Sequence, residues 1–418
     1  MKQKTYPFEK HQLPIEKVDP DALYVMEKLR AHGYSAYLVG GSVRDLLLGK
    51  KPKDFDISTS AEPEEIKKVF RNCILIGRRF RLAHIRFGRK ILEVSTFRSG
   101  DIETDALIVR DNVWGSPEED AMRRDFTING LLYDSATQEI VDYVNGYSDL
   151  QKKTLRTIGQ PFLRFKQDPV RMLRLLKFQA RFGFNVDPDT RIALLECRQE
   201  ILKSSSARIQ EELLRMLESG ASEPFFRLMT DHGMLHLMMP ALGEFAESPE
   251  GEEIFAILKE IDTTFHDPSR EPLQRPVLLA AIVFTLLDKR LKTRYVDRER
   301  MPHLGEIFRE AGEQINEIFH PFFSLSRRIR GCLMSILTSQ YRISPLEKKK
   351  NRRLRIPNDP DFSMALQFFD VRCALEPALQ STRDEWNSVL EGEPLETTAP
   401  RRKRRRRRRP PRKEASGE

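Results

Sequence analysis

The sequence predicts an α+β chain: a small mixed head of about 150 residues, then an all-helical neck and body, then a disordered arginine-rich tail. Three observations lead there. Short strand-like runs alternate with helical patterns through the first part of the chain. From about Asp168 onward strands vanish and long amphipathic patterns take over, as in DPVRMLRLLKFQARFGF and ARIQEELLRMLESG. The C-terminal end carries a nearly pure run of arginine.

Taken in order, residues 1–20 form an N-terminal extension and 21–160 the head. The head opens with a helix over Asp21–His32, a strand at Ala36–Val39, a helix at Val43–Leu48, a strand carrying Asp54 and Asp56, and a helix at Pro63–Arg71. Three strand-like runs follow, CILIG, HIRFG and ILEVSTF. A helical neck is expected over 161–225 and a helical body over 226–395, with the tail at 396–418. Breaks rich in Pro, Gly and Glu after Phe245 and Phe265 separate helices without separating domains. No internal repeat is present.

A content of 39% hydrophobic and 32% charged residues over 418 positions fits a soluble, charge-rich protein. Cys73, Cys197, Cys332 and Cys373 are scattered, with no spacing that suits zinc, so a reducing compartment and no structural metal are expected. The first residues lack the apolar segment of a secretory signal. The longest apolar run, Val277–Leu287, is well short of the ~20 residues that span a bilayer. The expectation is a cytoplasmic protein without a membrane span.

The net charge of +9 resides in the tail: residues 401–418 hold eleven Lys or Arg and two Glu, which leaves 60 basic and 60 acidic side chains before them. Such a run buries no apolar surface and suits an electrostatic arm for phosphate backbones. A basic stretch from Glu347, EKKKNRRLRIP, is either a second RNA-facing patch or a solvated helix end.

The chemistry concentrates around KPKDFDIST. On an extended segment Asp54 and Asp56 project to one side while Phe55 turns to the core. Two carboxylates so close repel unless a cation sits between them, and magnesium prefers such oxygen ligands. Just upstream, the strand Tyr37–Val39 runs into Gly40, Gly41 and Ser42 before a helix bearing Arg44. Glycines at that turn allow close backbone approach, and the helix N-terminus offers free N–H groups to phosphate. A third carboxylate has two candidates, Glu93 in ILEVSTFR and Asp125 in RRDFTING. His232 and His236 lie one helical turn apart but lack the Glu of a zinc-protease motif, so a core or helix-end role is expected.

LVGGSVRDLLLGKKPKDFDIST (38–59), RRDFTINGLLYD (123–134) and DPVRMLRLLKFQARFGF (168–184) together resemble the bacterial poly(A) polymerase and CCA-adding tRNA nucleotidyltransferase family. IGRRFRLAHIRFG (76–88) resembles its poly(A) polymerase branch. The resemblance implies a polymerase-β-like head with Asp54 and Asp56 as ligands of a two-magnesium site. Asp125 would be the third acidic residue, with Glu93 as its physical rival. Gly40, Gly41, Ser42, Arg44 and Arg124 would hold the triphosphate, and Asp168, Arg171 and Arg174 would read the base. The family usually has Glu where Gln167 stands and often Arg where Lys177 stands, which bears on base selectivity.

The implied activity is template-independent addition of AMP from ATP to single-stranded RNA 3′ ends, with release of pyrophosphate. RNA-decay factors are the implied partners. The alternatives are a CCA-adding or A-adding tRNA enzyme and, from another class, a non-catalytic RNA-binding protein.

Overall fold

The structure is a computed structural model and describes residues 3–77, 82–99, 113–320, 322–346 and 354–392. The arginine-rich tail, residues 347–353 of the basic stretch and residues 78–81 of the 76–88 run lie outside the described residues.

Apolar alternation builds the head around an eight-stranded sheet. Across the sheet the strands run Lys4–Tyr6, Glu139–Asp142, Leu131–Asp134, Ala36–Val39, Asp56–Thr59, Lys90–Thr96, Leu82–Phe87 and Cys73–Ile76. Every pairing is antiparallel except that of Asp56–Thr59 with Lys90–Thr96. Residues 1–20, expected as an extension ahead of the head, thus supply its edge strand, because Lys4–Tyr6 finds a partner in Glu139–Asp142.

One face of the sheet is closed along its length. Leu38, Ile57, Val94, Ala83, Ile85, Tyr133 and Ile140 are buried there beneath the helices Pro20–Ala31 and Pro63–Val69. The other face divides in two. At one end Val39, Leu132 and Val141 pack under Phe97, Ala121, Val144 and Ile158. Beyond them, among the described residues, the cover stops. The register that sets Ile57 beside Val94 brings Asp56 level with Glu93, then His84, then Ile74, all on the uncovered half.

The strand expected to carry both aspartates begins only at Asp56. Asp56 pairs with Val39, the last residue of its strand before the Gly40 turn, so no ladder remains for Asp54, which stands in the approach loop. Phe55 between them packs against the core as expected. The hairpin Leu131–Asp134 and Glu139–Asp142 was not among the expected elements.

After the head the chain is helical: Pro161–Gln167, Val170–Phe182, Pro188–Cys197 and Ser206–Leu217 form the neck. The long helix Arg275–Arg294 carries the run from Val277 to Leu287 and lies inside the body, every residue of that run buried. Among the described residues no helix is long and apolar enough to cross a membrane.

Candidate active site

The turn after Ala36–Val39 is shaped by what it must admit. Gly40 adopts φ +69°, and a Cβ there would lie 2.8 Å from Nη1 of Arg124. Both the backbone angle and the neighbouring guanidinium demand glycine. Arg124 donates to Asp120 at 2.9 Å and to the Ser58 hydroxyl at 3.4 Å, which holds a cation between the turn and Asp56. Its Nε is buried without a partner. Ser42 is buried and donates its hydroxyl to the Val39 carbonyl at 2.9 Å, closing the turn.

Asp54 and Asp56 are surface-accessible, yet Asp56 is electrostatically crowded. Burial of its surroundings, then the charge of Glu93, push its carboxyl up to about 6, with Asp54 adding and Arg124 opposing. Glu93 stands in the adjacent strand and meets His84 at 3.5 Å. Among the described residues no three His, Cys, Asp or Glu side chains converge as a ready-made metal cage. That suits magnesium, which keeps several waters and is usually held by one or two carboxylates plus substrate phosphates.

Asp125 lies elsewhere, where head meets neck. It accepts from the Asn129 amide at 2.9 Å and from the Phe126 N–H at 2.8 Å, and faces Arg174 at 3.8 Å. Burial alone would raise its carboxyl, but Arg174, Asn129 and Arg171 outweigh it and hold it below the usual range. Arg174 also donates to Glu212 at 3.0 Å, and Glu212 accepts from Lys177 at 2.8 Å. Arg164 donates to the carbonyls of Arg123 and Arg124, at 2.6 and 2.7 Å, so the neck grips the chain on both sides of the head's last turn.

Within this network three buried atoms are left over. Asp168 accepts from Arg208 at 3.0 Å through Oδ2, while its Oδ1 is buried with no partner. Arg171 donates through Nη2 to the Arg123 carbonyl at 3.2 Å, while its Nη1 is buried with no partner, as is Nε of Arg164. Asp168 in the link between Pro161–Gln167 and Val170–Phe182 and Arg171 in the helix that follows thus present an unsatisfied acceptor and an unsatisfied donor, which are costly unless a ligand completes them.

Comparison with known proteins places this arrangement. Residues 36–156 match the family described as "Poly A polymerase head domain", and residues 183–245 match "Probable RNA and SrmB- binding site of polymerase A". Poly(A) polymerase I of Escherichia coli O6:H1 is 36% identical over 387 residues, covering 88% of this chain and 82% of that protein. The chain belongs to the poly(A) polymerase and CCA-adding nucleotidyltransferase family. The CCA-adding enzyme of Streptococcus gordonii is 33% identical over 309 residues, 71% of this chain and 70% of that one. The solved "tRNA-processing enzyme (apo form I)" shares the fold with a TM-score of 0.62 at 21% identity, covering 90% of this chain and 91% of that chain. The head is therefore a nucleotidyltransferase head, and the protein is an enzyme of RNA 3′ nucleotidyl transfer.

For a nucleotidyltransferase, one expected triphosphate ligand is placed differently. Arg44 is buried and turned inward: Nε and Nη2 donate to Asp45 at 2.9 and 2.8 Å, and Nη1 to Asn129 at 2.6 Å. Its guanidinium also lies over the rings of Phe178 and Phe182, pinning head to neck. The cation at Gly40 is Arg124, while Nη2 of Arg44 would lie 3.4 Å from a Cβ on Gly41. Sequence reasoning missed Arg208, Glu212 and Asn129. Arg208 and Glu212 lie one turn apart on Ser206–Leu217, a spacing that puts them on one face, but nothing local told which face met the helix Val170–Phe182.

Proposed function

We propose that this enzyme adds AMP from ATP to RNA 3′ ends without a template, releasing pyrophosphate. The observation that carries the reading is the orphaned pair Asp168 Oδ1 and Arg171 Nη1. Adenine presents an amino donor beside a ring-nitrogen acceptor, the complement of that pair. Cytosine offers the same edge, whereas guanine and uracil reverse it and would face each buried group with its like.

Asp54 and Asp56 would hold the magnesium, with Glu93 beside Asp56 in the adjacent strand. Bound there, the metal supplies charge for the α-phosphate and the departing pyrophosphate and lowers the pKa of the attacking 3′-hydroxyl. The raised carboxyl of Asp56 fits this role, since a cation relieves the repulsion that lifts it. Gly40, Gly41 and Ser42 admit the triphosphate to the backbone, and Arg124 offers it a charge. Glu93 takes the third carboxylate place beside Asp56, and Asp125 stays at the nucleotide, fixing Arg174.

The arginine-rich tail would retain RNA between additions, and residues 183–245 would contribute RNA contact. RNA-decay factors are the partners that this role calls for, in the cytoplasm.

Because cytosine satisfies the same two atoms, a CCA-adding or A-adding tRNA enzyme is the second reading. An extension assay separates them. Long ladders on an unstructured RNA with magnesium and ATP alone establish poly(A) synthesis. A stop after a few nucleotides, on tRNA only and needing CTP, establishes the tRNA enzyme. No transfer on either RNA returns the chain to RNA binding alone.

A further inference from the structure

The uncovered half of the head sheet is unusual for a surface. Ile74, Ile76 and Ile91 are exposed by 45%, 46% and 46%, and the register gathers them on the face that bears Asp56 and Glu93. Ile74 is level with His84 and Glu93, Ile76 pairs with Leu82, and Ile91 pairs with Arg86, whose side chain is exposed. The closed end of the same face shows that such residues are normally covered, since Val39, Leu132 and Val141 there lie under a second apolar layer. Exposed aliphatic side chains gathered on one face in this way, with His84 and Arg86 between them, mark a contact site.

We infer that this open half-sheet is the track on which the last nucleotides of the RNA lie. The inference rests on the proposed transfer reaction, and three features of the face carry it. It is continuous with the carboxylates, where the attacking 3′-hydroxyl must arrive. With strands ~4.8 Å apart, the row from Asp56 to Ile74 extends about 14 Å away from the carboxylates, enough for the terminal nucleoside to lie against the sheet with its sugar toward Asp56. The second feature is chemical. Isoleucine side chains offer no hydrogen-bond donor or acceptor, so the surface packs against the face of any base and rejects none. An enzyme that extends RNA without a template needs that indifference at the primer end and selectivity only at the incoming nucleotide, where Asp168 and Arg171 stand. Third, Arg86 supplies a positive charge at the rim for the primer's phosphates without reading sequence.

The test uses the full chain with magnesium, ATP and a short unstructured oligoribonucleotide, so that distant RNA contacts cannot compensate. The double variant Ile74→Ser, Ile76→Ser and the single variant Ile91→Ser are expected to raise the KM for the oligoribonucleotide about tenfold. The KM for ATP stays unchanged. Tyr24→Ser, an exposed position on the helix behind the sheet, serves as the control and leaves both constants alone. In the wild-type protein, a photoreactive base at the RNA 3′ end should cross-link to the strands Cys73–Ile76, Leu82–Phe87 or Lys90–Thr96, which tests the track without any substitution.

Unchanged primer KM in all variants, together with no cross-link there, overturns the track. A change in sedimentation without a change in primer KM also overturns it and makes the face a contact between copies of the chain. Failure of the wild-type protein to extend any RNA is a different result, which sinks the transfer reading itself.

Discussion

The two halves of the active site are built on opposite plans. On the sheet side, Asp54, Asp56 and Glu93 gather negative charge at an open face, and the fold answers it only in part, through Arg124. On the neck side, Asp125, Asp168 and Glu212 are interlaced with Arg164, Arg171, Arg174, Lys177 and Arg208 in a buried network. Under the proposed function the first half is incomplete until cation and phosphate arrive. The second leaves Asp168 Oδ1, Arg171 Nη1 and Arg164 Nε without partners, and a base would satisfy the first two. Metal chemistry needs groups that gain by binding charge, whereas selectivity needs groups already fixed, so that a wrong partner meets a rigid mismatch.

The sharpest way to break this comparison is to neutralise the sheet side. Asp56→Asn or Asp54→Asn should lower transfer by a thousandfold or more, about 4 kcal/mol in the barrier, with the fold intact. In metal-free protein Asp56→Asn should also raise stability, by up to about 1 kcal/mol after solvent screening. The sign follows from the shift. Because the folded carboxyl lies near 6 against an ordinary 3.8, the folded state binds the extra proton, and wild-type stability falls as pH rises through that window. Thermal melts of metal-free wild type and Asp56→Asn at pH 4 to 7 should therefore coincide at low pH and diverge above. Parallel curves would remove the electrostatic account of the site.

On the neck side, Arg171→Ala should lower kcat/KM for ATP about a hundredfold. It should also narrow the preference for ATP over GTP and UTP, which competition between nucleotides would measure. Retained selectivity would move base reading away from Asp168 and Arg171. Glu212→Ala tests whether the network is held in advance. It strands Arg174 and Lys177 in partly buried positions and should cost about 3 kcal/mol of stability, measured by denaturant unfolding.

How much of this was legible in the sequence follows the same divide. The turn at Gly40 and the strand with Asp56 are local, and glycine conformation and period-two alternation announce them within twenty-two residues. Asp168, in the link before the helix Val170–Phe182, and Arg171 inside it are three residues apart and were equally visible. What stayed open or escaped depends on pairing between distant segments. Glu93 was one of two candidates for a third carboxylate, and only a parallel register across 37 positions sets it beside Asp56; Arg208, not foreseen, reaches Asp168 from 40 residues away. Arg44 shows the converse failure. Its spacing from the glycines suited a phosphate ligand, but Asp45, Asn129 and two phenylalanines capture it, and three of those four lie far along the chain.

The smallest effect sharpens the comparison at its edge, where binding gives way to retention. The first 400 residues are electrically neutral overall, so their hold on RNA falls to local features such as the proposed contact at Arg86, while residues 401–418 contribute a charge of +9. Deleting everything after Pro400 should leave kcat and the KM for ATP unchanged, because none of the groups placed at the nucleotide lies there. It should weaken RNA binding chiefly at low salt. If half of the eleven tail cations pair with phosphates, the slope of log affinity against log salt becomes shallower by about 4. A titration of fluorescent RNA at several salt concentrations measures that slope, and equal slopes for the full and shortened chains would assign retention to the folded part alone.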